Sequence, residues 1–295
     1  MLGIIVQMKR YIDCILLINK EAGVTSHDEV NRVRKILNIK KVGHSGTLDP
    51  KVTGMLVMGI GKGTKVLEYM LMSEKVYQAE FVFHKKVSRP ELEQALEKFT
   101  GSIKQTPPRK SSVKRVERER SVYEFGLQSF ADDGRSAIVR CAVERGTYIR
   151  KLVHDIGDHL GVGAHMGQLH RTQVGPFSEH THATVSTRDL QKKIELSRLL
   201  PFGIGSPKKY FHSLEEAMSD FPKIILDAGA VSPVRKGSPL FAPGVAQVVG
   251  DFDAGSLVLL FDDKEKLMGT ALALFSSREL AKIEKGSVCR IQKII

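Results

Sequence analysis

The sequence predicts an α+β fold: a central, mostly antiparallel sheet flanked by helices, followed by a small β-barrel. Two observations carry this. Through about residue 220, runs of strand length alternate with segments whose apolar residues recur at helical spacing. After Phe221-Pro222 the texture changes, and short β-like runs alternate with Gly-, Pro- and Asp-rich turns. A chain of 295 residues exceeds one average domain and suffices for a large core, and it is expected to divide into residues 1–220 and 221–295.

Taken in order, residues 12–18 are apolar and β-rich and read as a buried strand. Thr25-Ser26 offers a helix N-cap, and Val30, Val33, Ile36 and Leu37 follow at helical spacing. Gly43-His44-Ser45-Gly46-Thr47-Leu48-Asp49-Pro50 then forms a loop ahead of the apolar-rich residues 55–60. Residues 76–82 read as a strand. Arg89-Pro90 starts a helix that turns Leu92, Leu96 and Phe99 inward and stops at Gly101.

Residues 104–120 differ: Lys104, Arg109, Lys110, Lys114, Arg115, Arg118 and Arg120 stand against only Glu117 and Glu119. Pro107-Pro108 makes the start of this segment an extended connection. It reads either as a solvated surface loop or as a track for a phosphate backbone. Asp132-Asp133-Gly134 is the turn of a hairpin between residues 122–130 and 136–143. Residues 147–160 have helical spacing, residues 161–167 are a glycine-rich break, and Pro176 ends the next segment. Residues 190–200 and 214–218 are helical candidates. The β-like runs of the last module are 223–226, 246–249, 256–261, 267–274 and 288–295.

Composition narrows the function classes. Lys and Arg number 45 against 33 Asp and Glu, a net charge of +12, which favours a polyanionic partner such as nucleic acid. Cys14, Cys141 and Cys289 are far apart and odd in number, so neither a disulfide framework nor a cysteine zinc site is indicated. They fit a reducing, cytoplasmic setting. No uninterrupted apolar run reaches the length of a membrane span, and Lys9 and Arg10 follow the short apolar opening, the wrong order for a signal peptide.

Two signals mislead. Gly59-Ile60-Gly61-Lys62-Gly63-Thr64-Lys65 resembles a phosphate-binding loop but lacks the four residues a P-loop needs between its first glycine and Gly-Lys-Ser/Thr. A glycine-rich strand-to-helix turn is the better reading. Six histidines fall between His154 and His182, yet their spacings do not put ligands on one helical face, and no metal site is expected. The loop around Asp49 is a better candidate. Gly46 can take backbone angles other residues avoid, and Pro50 restricts Asp49, so one carboxylate acquires a defined direction, as a nucleophile or general base requires. An ordinary Asp-Pro turn is the competing reading.

Together the motifs resemble the TruB and dyskerin family of RNA pseudouridine synthases over nearly the whole chain. Gly43 to Pro50 with Thr53-Gly54 is similar to the family's catalytic signature. Gly23-Val24-Thr25-Ser26-His27 is similar to its Gly-x-Thr-Ser-His segment, and Lys75-Val76-Tyr77 to its Lys-x-Tyr motif. Gly146-Thr147-Tyr148-Ile149-Arg150-Lys151-Leu152 resembles the Thr-Tyr-Ile-Arg-x-Leu block, and Leu169-His170-Arg171-Thr172 the late Leu-Arg-Arg-Thr element. Ser112-Val113-Lys114-Arg115 leans toward the archaeal and eukaryotic dyskerin branch, and the module after Phe221 resembles its PUA domain. Two departures are plain: Lys20-Glu21-Ala22-Gly23 replaces Lys-Pro-Pro-Gly, and His170 stands where the late motif has its first arginine.

The resemblance implies a pseudouridine synthase fold followed by a PUA domain, and isomerisation of uridine to pseudouridine in RNA without cofactor or metal. It implies Asp49 as nucleophile, Tyr77 as the ring that stacks on the target base, and Arg150 as the partner that keeps the carboxylate charged and oriented. His44, Leu169 and Lys75 fall to substrate binding, and Lys114 and Arg115 to the RNA backbone. The partners implied are tRNA, modified at uridine 55, or a guide RNA with its rRNA target and the small proteins of an H/ACA particle; no membrane is involved. The competing readings are a non-catalytic RNA-binding scaffold of a ribonucleoprotein and an unrelated basic α/β enzyme.

Overall fold

Strand β1 (Cys14–Lys20) is apolar along almost its whole length because it is covered on both faces. Its neighbour β3 (Thr53–Ile60) is buried from Gly54 onward for the same reason, and the two pair antiparallel from Cys14↔Ile60 to Lys20↔Gly54. The computed structural model describes residues 13–106, 116–199 and 207–295. The chain forms two units, Met1–His212 and Ser213–Ile295.

The first unit is built on one ten-stranded sheet. Its remaining strands are β2 (Val42–His44), β4 (Lys75–Phe83), β5 (Gly101–Gln105), β6 (Arg118–Phe130), β7 (Ser136–Val143), β8 (Ala164–Val174), β9 (Phe177–Ser178) and β10 (Phe211–His212). The order is β10-β1-β3-β8-β4-β7-β6-β5, with β2 on β3 and β9 on β8. Every pairing between these strands is antiparallel except β3 with β8, so the mostly antiparallel sheet of the sequence reading is present.

Helices cover the sheet in two groups. Helix α1 (Ser26–Leu37) begins with a capping box between Thr25 and Asp28 and ends at Asn38, whose left-handed backbone returns its N–H to Arg34 and Lys35 carbonyls. Its Val30, Val33 and Leu37 pack on Leu16, Ile18, Leu56 and Met58, together with Leu190 and Ile194 of α5 (Thr187–Leu199). The short α2 (Leu67–Met72) follows β3. Helices α3 (Arg89–Lys98) and α4 (Ile149–His159) close the second core. There Ala79, Phe81 and Phe83 of β4 and Val139, Cys141 and Val143 of β7, alternate residues as a half-covered strand requires, meet Leu92, Leu96, Leu152 and Ile156.

Two sequence expectations change here. Part of the basic 104–120 segment is sheet: β5 and β6 pair from Gly101↔Val122 to Gln105↔Arg118. Strand β8 begins at Ala164, inside the expected glycine-rich break, and its run Ala-His-Met-Gly-Gln-Leu-His-Arg-Thr-Gln-Val carries no clean alternation. It is a strand because β3 and β4 flank it and satisfy its backbone. Lys114 and Arg115, Pro107-Pro108, and Arg109 and Lys110 lie outside the described residues.

In the second unit, α6 (Leu214–Ala217) precedes β11 (Lys223–Leu226), β12 (Leu240–Phe241), β13 (Val245–Val249), β14 (Leu257–Phe261), β15 (Leu267–Ala273) and β16 (Ser287–Ile294). Their order is β12-β16-β15-β14-β11-β13, around a core that includes Ile224, Leu226, Leu240, Val258, Leu260, Met268 and Val288. All five expected β-runs are strands. The module is not purely β: α7 (Ala228–Arg235), capped by Asp227, and α8 (Ser277–Leu280), with a Ser276–Glu279 capping box, also belong to it. Both helices are too short to show periodicity above the surrounding turns. Cys14, Cys141 and Cys289 are free and buried, and burial raises all three thiol pKa values, to about 12 for Cys14 and about 11 for Cys289. Among the described residues no helix is long and apolar enough to cross a membrane.

Candidate active site

The loop between β2 and β3 is held from four directions. Ser26, in the first turn of α1, is 1% exposed, and its hydroxyl donates to the Leu48 carbonyl at 3.2 Å while accepting the Leu48 N–H at 2.9 Å. Lys20, fully buried at the end of β1, donates from Nζ to the carbonyls of Glu21 (2.9 Å), Val24 (2.8 Å) and Pro50 (3.1 Å). The Pro50 carbonyl also accepts the Gly23 N–H at 2.8 Å. From β8, the buried Arg171 donates Nε to the Met55 carbonyl at 2.8 Å and Nη2 to the Gly46 carbonyl at 3.2 Å. Buried polar groups are tolerated only with such partners, so each residue ties backbone that would otherwise be loop to a fixed element.

Gly54 shows how tight this junction is. Its φ is +102°, and a Cβ there would overlap the Arg171 carbonyl oxygen, because β3 and β8 cross side by side at Gly54↔Arg171. The glycine that follows the signature loop is therefore a packing requirement as well as a turn.

The fixed loop presents Asp49 outward. Its carboxylate, 57% exposed, accepts a hydrogen bond from Arg150 Nη2 at 2.6 Å. Arg150 lies in the first turn of α4, 101 residues away in sequence. With both side chains more than half exposed, this pair contributes little to stability, and its effect is directional.

Tyr77 lies on β4, opposite Cys141 on one side and Arg171 on the other, so Gly54, Arg171, Tyr77 and Cys141 form a row across four adjacent strands. The half-buried Tyr77 packs against the core cluster that holds Ile149 and Leu152 of α4, and Leu169 packs against the same cluster. The helix that supplies Arg150 thus contributes to the same core as the tyrosine and the leucine.

His44 ends β2 opposite Met58. Burial first, then the Arg171 and His27 charges, lowers its pKa below the ordinary histidine value, so the ring is neutral at neutral pH. Its Nδ1 is buried with no hydrogen-bond partner among the described residues. Lys75, the residue after the Ser73-Glu74 connection, starts β4. It is 5% exposed, and Nζ donates to the carbonyls of Met70 (3.2 Å), Leu71 (2.6 Å) and Ser73 (2.5 Å). It closes the C-terminal end of α2, where a cation meets unpaired carbonyls and the negative end of the helix dipole. Burial, with the Arg171 and Arg145 charges, brings its pKa down to about 8.

The histidines of the 154–182 stretch disperse. His165 contacts His84 at 3.1 Å, and His170 bridges Thr53 Oγ1 and Glu179, each at 2.8 Å. His154, Asp155 and Asp158 lie close enough together to hold a cation, but on an exposed helix face where Lys151 already pairs with Asp155. Ser26, Lys20 and Arg171 are the residues whose part local sequence does not announce. Their motifs mark the region, but nothing near them in sequence says that their side chains end on a loop 22 to 125 residues away.

Comparison with known proteins bears on what this arrangement does. Residues 34–149 match the TruB family pseudouridylate synthase N-terminal domain, residues 150–199 the tRNA pseudouridylate synthase B C-terminal domain, and residues 222–295 the PUA domain. The chain is 40% identical over 282 residues to a probable tRNA pseudouridine synthase B of Pyrobaculum islandicum, covering 95% of this chain and 84% of that protein. A protein of the same description from Pyrococcus furiosus is 36% identical over 281 residues, covering 95% and 81%. Among solved structures, a chain of a Cbf5-Nop10-Gar1 complex superposes with a TM-score of 0.90 at 35% identity, covering 97% of this chain and 86% of that one. A chain of an H/ACA RNP bound to a substrate RNA containing 2′-deoxyuridine gives 0.88 at 33% identity, covering 98% and 86%.

Proposed function

The chain belongs to the TruB family of pseudouridylate synthases, and from that premise we propose that Asp49 is the nucleophile with which it isomerises uridine to pseudouridine in RNA. The observation that carries this reading is the Asp49–Arg150 pair at 2.6 Å, displayed on a loop clamped from β1, α1 and β8. A preorganised carboxylate can form a covalent intermediate without paying for reorganisation at the moment of reaction. The reaction breaks the bond from ribose C1′ to N1 and makes one from C1′ to C5; a proton leaves C5, N1 gains one, and no electrons are exchanged.

Tyr77 supplies a ring face for the displaced base, an interaction worth about 1–3 kcal/mol per base. Arg150 holds the carboxylate in line, and Leu169 forms apolar wall. His44, kept neutral chiefly by burial, contacts the extruded nucleotide. The target uridine must leave its stack to reach such a group. Residues 1–220 are the catalytic domain and 221–295 the RNA-binding PUA domain, with Lys114 and Arg115 contributing phosphate contacts. The relatives' descriptions as tRNA pseudouridine synthases favour tRNA, where uridine 55 is the position proposed, and the structural neighbours, a Cbf5-Nop10-Gar1 complex and an H/ACA RNP, favour guide-RNA-directed action with small partner proteins. The setting is cytoplasmic.

The test is pseudouridine formation in an unmodified tRNA transcript and in a guide-RNA target supplemented with the particle proteins. Wild type is expected to form product and Asp49→Asn to fall to background while still binding RNA. Product on one substrate only assigns the route. No product on either, with RNA binding intact, would move the chain to the scaffold reading.

A further inference from the structure

The segment Gly59 to Lys65 has glycines and lysines that the reaction does not use. The structure accounts for the glycines. After β3 the chain turns into a 3-10 helix, Gly61–Lys65, seated on the start of β1. A Cβ on Gly63 would overlap the Cys14 carbonyl oxygen, and one on Gly61, at φ +57°, the Asp13 carboxylate. Lys62 has no such reason, since it is exposed to solvent.

Two further stretches meet this turn. The Gly61 N–H donates to the Lys41 carbonyl at 2.8 Å, laying residues 40–41 beside it. The Arg34 guanidinium donates to the Val42 carbonyl at 2.8 Å, and the Arg34 carbonyl accepts the Ile39 N–H at 3.1 Å, which folds the last turn of α1 onto the same corner. Lys35, Lys40, Lys41 and Lys62 are all exposed, and none forms an ion pair with a described residue. The nearest acid on the turn, Asp13, spends Oδ1 on the Lys62 N–H at 2.6 Å. Four like charges gathered from three elements repel one another, and a polyanion relieves that repulsion.

The position of the corner gives it a role. Lys41 directly precedes β2, whose three residues lead to His44, a reach of about 10 Å. We propose that Lys35, Lys40, Lys41 and Lys62 form a phosphate-binding surface that takes the RNA backbone next to the target nucleotide. This rests on the RNA-modifying reading above.

The probe is an unmodified tRNA transcript, with affinity measured from about 50 to 300 mM KCl for wild type and for the triple variant Lys40→Gln, Lys41→Gln, Lys62→Gln. Each lost phosphate contact lowers the slope of log K against log salt by roughly 0.7–0.9. The triple variant should therefore lose about two units of slope and bind at least tenfold more weakly at low salt. The triple Lys→Arg variant should keep the wild-type slope. Wild-type affinity and slope in the glutamine variant would overturn the surface. A reduced slope in a protein that makes no pseudouridine would retain the surface and retire the catalytic reading. Product formation with an unchanged slope would do the reverse.

Discussion

At the scale of single residues, the exposed Asp49–Arg150 pair contrasts with buried polar groups that tie nearby backbone in place. Arg150 is of the first kind. Arg150→Gln removes the charged hydrogen bond to Asp49 at little cost in stability, because both partners are largely exposed. The expected result is a fall of about 100-fold in the single-turnover rate with RNA affinity nearly unchanged, measured by quench-flow and filter binding, since a misdirected carboxylate costs the chemical step and leaves binding alone. Lys75 is of the second kind, and its effect shows in stability. Its folded pKa of about 8 lies below the ordinary lysine value of 10.5, chiefly through burial. Between those values the folded chain holds fewer protons than the unfolded one, so this group makes the protein more stable as pH rises through that window. Against Lys75→Met, wild type should gain stability from pH 8 toward pH 10.5 in urea unfolding; a difference that stays flat or runs the other way would show that the ammonium is not desolvated as described.

At the scale of elements, the crossing of β3 and β8 decides where the loop can sit. Gly54 lies against the Arg171 backbone at φ +102°. Gly54→Ala is expected to cost about 2–4 kcal/mol, from backbone strain and the forced separation of the strands. Urea unfolding measures the loss, and activity should fall further than stability explains, because β8, the strand a Cβ at Gly54 would push away, carries the Arg171 side chain that grips Gly46. Helices α1 and α3 were readable in the sequence, from the Thr25-Ser26 cap and the Arg89-Pro90 start, and the structure completes them with capping boxes from Thr25 to Asp28 and from Ser88 to Glu91. Strand β8 was not. A strand paired on both sides by β3 and β4 can carry His, Arg, Gln and Thr, because neighbours satisfy its backbone whatever its side chains are. The short β5 was hidden by the same means, its pairing with β6 outweighing its loop-like composition.

At the scale of the whole molecule, the two units have separate cores and separate sheets, and each matches its own family description. By itself the sequence determined the class of fold, the change of texture near residue 220, the helix caps, the loop around Asp49 and the motifs that align with a family of RNA-modifying enzymes. These are local patterns, set by side-chain periodicity, turn chemistry and short spacings, and they survive in one dimension. The tertiary structure alone decided that Arg150 reaches Asp49 across 101 residues, that Ser26, Lys20 and Arg171 hold its loop, that Lys75 is a buried cap on α2, and that four lysines from three elements share one corner. Those facts depend on which strands become neighbours, and strand pairing is a property of the closed sheet that no short window of sequence contains.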